Sequence, residues 1–170
     1  MKKTGLLLSM IVTMALVATV NVKAQSLRDV FEKYDRGGNV ISLNIGRFGC
    51  SLLGTLIPCD EPQAKELFKS TSRINIFVSE GRGDVPELRR DIKKYARKNR
   101  LEEMITVKSG DDNVRIYAMD NDRDITQVLI VVSDGSDFVV LNMRGKYRKE
   151  SVRRWIEDED FIVSINHVAK

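Results

Sequence analysis

The sequence predicts an α+β domain: a mostly antiparallel sheet ending in a C-terminal four-strand meander, with helices packed on one face. Two observations predict it. Apolar residues recur at helical spacing through the first half of the chain and at period two from residue 102 onward. Three short Asp/Asn/Gly clusters then punctuate the second half, each tight enough for a hairpin and too short for a crossover helix.

The N-terminus comes first in the chain and is set apart from the fold. Lys2 and Lys3 form a positive start, Gly5 to Val20 is uncharged and apolar or small, and Val22-Lys23-Ala24 offers small residues where a signal peptidase reads. The uncharged run is shorter than the roughly 20 residues a membrane-spanning helix needs. Residues 1–24 therefore read as a cleaved signal peptide and 25–170 as a single globular domain with no membrane span. No cysteine lies near the cleavage site to carry a lipid anchor. The expected location is periplasm or cell envelope.

Within the domain, Ser26 and Asp29 form a capping pair for a helix with Leu27, Val30, Phe31 and Tyr34 on one face; Gly37-Gly38 ends it. Val40 to Ile45 alternates as a strand. From Phe48 to Ile57 the residues Phe48, Leu52, Leu53, Leu56 and Ile57 recur at helical spacing, with a small opposite side of Gly49, Ser51, Gly54 and Thr55. Pro58 and Pro62 mark a break before a short helix over Gln63–Ser70, and Arg73–Glu80 reads as a strand. Asp84, Pro86 and Glu87 start a helix whose stripe is Val85, Leu88, Ile92, Tyr95 and Ala96. Strands follow near 102–108, 113–119, 124–132 and 137–144. A last helix carries Val152, Trp155 and Ile156, and Phe161–His167 has strand character.

Loss of Lys2, Lys3 and Lys23 with the signal leaves 25 basic residues against 24 acidic. A nearly neutral domain gives no electrostatic reason to expect a nucleic-acid partner. The strongest local charge lies on the third long helix, where Arg89, Arg90, Lys93, Lys94 and Arg97 crowd together. Cations toward a helix C-terminus complement its dipole, so a solvated face accounts for them; an anionic-partner patch is the functional reading.

Several stretches resemble a known family. They are Phe31-Glu32-Lys33-Tyr34, Ala64-Lys65-Glu66-Leu67-Phe68, Leu88-Arg89-Arg90-Asp91-Ile92 and Glu102-Glu103-Met104-Ile105-Thr106-Val107. Val114-Arg115-Ile116-Tyr117 and Ile125-Thr126-Gln127-Val128-Leu129-Ile130 continue the series. In order and spacing these are similar to the domain of unknown function 4252 family of exported Bacteroidota proteins. The resemblance implies an envelope location and a link to envelope signalling, and it implies no activity. Unlike many members, this chain lacks a lipid-attachment cysteine, and its charged tail after Gly145 is long.

Enzymatic chemistry finds little support in the residues, and no cofactor is expected. His167 is the single histidine, so neither a His-based zinc site nor a histidine-activated serine is readily assembled. Gly49-Cys50-Ser51-Leu52-Leu53 approaches a nucleophile elbow but places Leu53 where the second glycine belongs. Gly81-Arg82-Gly83-Asp84-Val85-Pro86 ends on proline where a phosphate loop needs its third glycine. Asp120, Asp122 and Asp124 alternate like a calcium loop, yet Ile125 and Val131 occupy its glycine and glutamate positions. The expected function is a non-enzymatic binding module for an envelope protein or an anionic surface. A hydrolase working through carboxylates is the alternative.

Cys50 and Cys59 remain. An exported chain favours a disulfide between them. Along one unbroken helix their Cα atoms would stand about 13 Å apart at about 1.5 Å per residue, and a disulfide spans at most about 7 Å. The bond thus requires a bend at Gly54 or Pro58. The Leu52, Leu53, Leu56, Ile57 stripe favours a continuous helix and two thiols.

Overall fold

The structure is a computed structural model, and it describes residues 26–35, 40–56, 62–79, 85–134 and 137–157. Eleven elements are described: α1 (Leu27–Glu32), β1 (Val40–Gly46), α2 (Arg47–Leu56), α3 (Pro62–Ser70), β2 (Thr71–Ser79), α4 (Val85–Lys98), β3 (Glu102–Ser109), β4 (Asp112–Asp120), β5 (Asp124–Asp134), β6 (Asp137–Arg148) and α5 (Lys149–Glu157). The strands make one six-stranded sheet in the order β1-β2-β6-β5-β4-β3. Every pairing is antiparallel. The fold is α+β and the C-terminal meander is present.

One expectation is corrected: the helices cover both faces of the sheet. On one face α1 and α4 bury Val30, Phe31, Leu88, Ile92 and Tyr95 against Phe77, Leu129, Val131, Phe138 and Val140. On the other, Cys50 of α2, Leu67 and Phe68 of α3, and Val152 and Trp155 of α5 pack on Ile74, Ile116, Ile130 and Met143. The central strand β5 shows why. Its burial runs nearly unbroken from Ile125 to Ser133, so residues of both parities are apolar and each face needs its own cover. Each fully buried Val, Leu, Ile or Phe contributes roughly 1.5–3 kcal/mol, and both layers therefore matter to stability.

Local chemistry sets the element ends. Ser26 caps α1 through a complete capping box with Asp29. The β3–β4 turn places Gly110 at φ +60°, and the β4–β5 turn places Asp122 at φ +70° while the Asp120 carboxylate accepts its N–H. The Asp134 carboxylate accepts the Asp137 N–H across the last hairpin. β6 runs to Arg148, and α5 follows at once, so the first part of the charged tail is strand and helix. Where β6 leaves β2, a Cβ on Gly145 would strike the Ser70 carbonyl and lie 2.8 Å from the Tyr147 ring. Only glycine allows this approach. Phe31 and Phe77 stack at 4.5 Å between α1 and β2, and Tyr147 meets Trp155 edge-on at 5.9 Å.

Candidate docking surface

The surface is built by β1 and α2. Among the described residues β1 stands at the edge of the sheet, pairing with β2 on one side only; the Phe161–His167 segment with strand character lies outside them. Ile41, Leu43 and Ile45 share a face, as alternation requires, and pair with Val78, Ile76 and Ile74. Ile45 is partly buried beneath α2. Ile41 and Leu43, by contrast, remain 63% and 51% exposed.

α2 begins directly after Gly46, and its orientation reverses the usual rule for an amphipathic helix. Its buried residues are Cys50 and Gly54. A Cβ on Gly54 would come within 3.3 Å of the Phe68 Cβ, and one on Gly49 would come within 2.7 Å of Ile45 Cγ2. Small side chains thus let α2 lie close against α3 and the end of β1. The consequence is geometric: with Gly49, Cys50 and Gly54 inward, Phe48, Leu52 and Leu56 point outward, together with Ser51 and Thr55. Phe48 is 84%, Leu52 52% and Leu56 72% exposed, at spacings of four that keep them on one helical face. Of the stripe legible in the sequence, Phe48, Leu52 and Leu56 face water, Leu53 is half-buried, and Ile57 lies outside the described residues.

The Cys50 thiol is wholly buried and donates to the Ile45 carbonyl at 3.7 Å. Burial pushes its pKa up, against the lowering pull of backbone hydrogen bonds at Cys50 and Ile74. Such a thiol packs as a small apolar residue. Cys59 lies outside the described residues.

The basic helix differs from its sequence reading at one position. Arg90, Lys93, Lys94 and Arg97 are exposed on α4. Arg89 instead turns under the helix, where its Nη2 donates to Ser133 Oγ at 2.8 Å and its Nε is buried without a hydrogen-bond partner. It leaves the patch and joins a polar seam beneath α4. There Gln127 Nε2 donates to Asn142 Oδ1 at 2.7 Å and to the Tyr95 hydroxyl at 3.4 Å. Part of the remaining charge is answered locally: Asp91 bridges Lys33 and Lys94, each at 3.4 Å. Burial alone would raise the Asp91 pKa, but hydrogen bonds from Tyr34 and Lys33, with Lys33 and Lys94 charge beside it, bring it below the usual value.

The other candidates resolve into structure. Beside the β4–β5 turn, Asp120 pairs with Lys149 of α5 at 2.8 Å and Asp124 with Lys146 of β6 at 3.4 Å, while Ile125 and Val131 are core. Ser51 sits inside α2 on its exposed side, so it stands on no elbow. Residues 80–84, the cleavage site and His167 lie outside the described residues. A shallow groove beside α1 is lined by Arg28, Phe31, Glu32, Asp35, Val40, Ser42 and Phe77. It brings two carboxylates to one place, but Glu32 is held by Arg28 at 2.8 Å and Asp35 accepts the Val40 N–H at 3.4 Å. Both are exposed. Neither has the apolar burial that prepares a carboxyl for general acid work.

Among the described residues no group of His, Cys, Asp and Glu is arranged to hold a metal ion, and no helix is long and apolar enough to cross a membrane. Sequence reasoning found the stripe of α2 and the alternation of β1 but not their shared exposure. A signal was present in the absence of any charge from Val40 to Gly46, which leaves an edge strand unprotected. No curated protein and no solved structure matches the chain. A family model does, over residues 34–154, from the end of α1 into α5. With more than half of its length matched, the chain belongs to the family described as domain of unknown function (DUF4252).

Proposed function

We propose that this protein is a non-enzymatic interaction module of the cell envelope, exported by its N-terminal signal and docking a protein chain on the β1–α2 surface. One observation carries the reading. A helix that turns Cys50 and Gly54 inward and Phe48, Leu52 and Leu56 outward, beside an uncharged edge strand, exposes apolar area that the described residues leave uncovered. Large exposed apolar patches mark interaction sites, and an open strand edge offers backbone hydrogen bonds to an added strand. α2 contains Arg47 as its one cation, unlike the Lys/Arg-rich helices that lie on membranes.

Photo-crosslinking in the native host tests it. A benzophenone side chain placed at Phe48 should yield a specific protein adduct in the envelope fraction, and one at Met104, exposed on β3, should not. Absence of any adduct from both Phe48 and Leu52 positions would rule the docking surface out. Mass spectrometry of the same material should find Gln25 at the N-terminus; an intact Met1 would overturn export by cleavage.

A second reading rests on α4, where Arg90, Lys93, Lys94 and Arg97 stay exposed together and suit an anionic partner surface. Reversing Arg90, Lys94 and Arg97 to Glu should abolish salt-sensitive binding to anionic liposomes while leaving the melting temperature unchanged. Unaltered binding by that triple variant would reduce the patch to a solvated face.

A further inference from the structure

We infer that the occupant of the β1–α2 surface is a second copy of this chain, joined edge to edge so that two six-stranded sheets become one. The inference rests on the docking reading above and names its partner.

Self-pairing makes a demand that few edge strands meet. About a two-fold axis, residue i must suit residue j and j must suit i. Around Leu43, β1 reads Ile41-Ser42-Leu43-Asn44-Ile45, which has the same character from either end. Antiparallel pairing centred on Leu43 sets Leu43 against its own copy, Ile41 against Ile45, and Ser42 against Asn44. Because the register keeps odd residues opposite odd ones, the apolar face of β1 continues into the apolar face of its mate. No charge lies between Val40 and Gly46, so the pairing brings no like charges together.

The helices support the same geometry. A two-fold axis perpendicular to the sheet leaves the same face of both copies on the same side. α2 packs over Ile45 on that face. In the paired sheet Ile45 of one copy stands beside Ile41 of the other. The start of α2 therefore stands beside the Ile41 that its mate leaves exposed, and the pairing requires the Phe48, Leu52, Leu56 stripe to close over the mate. The five exposed side chains carry on the order of 500 Å² of apolar surface, within the range of functional patches. The strand edge, with Ser42 and Asn44, brings this toward the roughly 800 Å² per partner of a stable interface.

Sedimentation velocity on the mature full-length chain should give twice the chain mass. Leu43→Lys should return the monomer mass with an unchanged circular dichroism spectrum, and Met104→Lys on β3 should leave the dimer intact. Register is tested independently by cysteine. Leu43→Cys, at the axis, should form a disulfide-linked dimer on mild oxidation. Ile41→Cys should not, because its own copy lies four residues away along the strand. A monomer at every concentration the protein tolerates, or a dimer that survives Leu43→Lys, would overturn the inference. So would a Leu43→Cys protein that fails to crosslink. If the chain is monomeric and Phe48 still crosslinks to a different protein, the docking surface stands and self-pairing alone falls.

Discussion

β3 and β1 end the same six-stranded sheet, yet they treat solvent differently. β3 carries Glu102, Glu103 and Lys108, and its register shifts between Glu103 and Ile105 where it meets β4. Charge and bulge are the ordinary devices that stop one sheet from adding to another. β1 has neither: seven uncharged residues, pairing with β2 in unbroken register and leaving Ile41 and Leu43 in water. Both strands obey the same alternation. The difference shows that protection at an edge is optional, and that its omission at β1 coincides with a helix, α2, whose large apolar residues also face out.

The edges of the sheet are free to vary while its interior is not, and the interior should show the largest effect. Gly145→Ala places a methyl group against the Ser70 carbonyl and the Tyr147 ring. We expect a loss of about 3 kcal/mol, at the upper end of overpacking penalties, and a drop of roughly 10 °C in melting temperature. A melt within a degree or two of the parent would show that β6 does not approach Ser70 closely at Gly145.

α2 allows the contrast within one helix. Gly54→Leu must push the helix off Phe68 and Lys69 and should cost about 2 kcal/mol. Phe48→Gln, on the opposite side, should change the stability of the monomer by no more than about 0.5 kcal/mol. Equal losses at the two sites, read by chemical denaturation, would mean that the outward face is already packed. The buried Cys50 thiol offers a chemical version: it should resist alkylation in native protein, and denaturation without reductant should release two thiols per chain.

Stripping β3 of its charges tests the other side of the comparison. Replacing Glu102, Glu103 and Lys108 by Val should open a second route of self-association, visible as light scattering in a protein otherwise folded as the parent. A triple variant that stays as soluble as the parent would show that the bulge alone protects this edge.

Acid should produce the smallest effect, and it should separate the edges. The Thr106 hydroxyl, ahead of the nearby Arg115 charge, holds the Glu103 carboxyl below its ordinary value despite the opposing effect of burial. A folded pKa below the unfolded one means that the contribution is complete above the ordinary value of 4.5 and is lost as pH falls through the folded value. Glu66, held by Arg148 at 2.6 Å, behaves alike. Melting temperature should therefore decline modestly between about pH 5 and pH 3, and Glu103→Gln should flatten part of that slope. Pairing through β1, which contains no titratable side chain, should be insensitive to salt and to pH above that window.

Much of this was determined by the sequence alone. Period two after residue 102 and the Asp/Asn/Gly turns were enough for the meander, because hairpins are local. Ser26 with Asp29 was enough for the start of α1. Periodicity fixed which residues share a face: Phe48 with Leu52 and Leu56, Ile41 with Leu43 and Ile45. What periodicity leaves open is which face meets the core. Only the tertiary structure decided that α2 presents Gly54 to Phe68, that Arg89 turns under α4 to Ser133, and that helices cover both sides of β5. β2 pairs with β6 between residues 59 to 74 apart in the chain, and that long-range contact places β1 at an edge. A local pattern sets the shape of an element; burial depends on what else is packed against it.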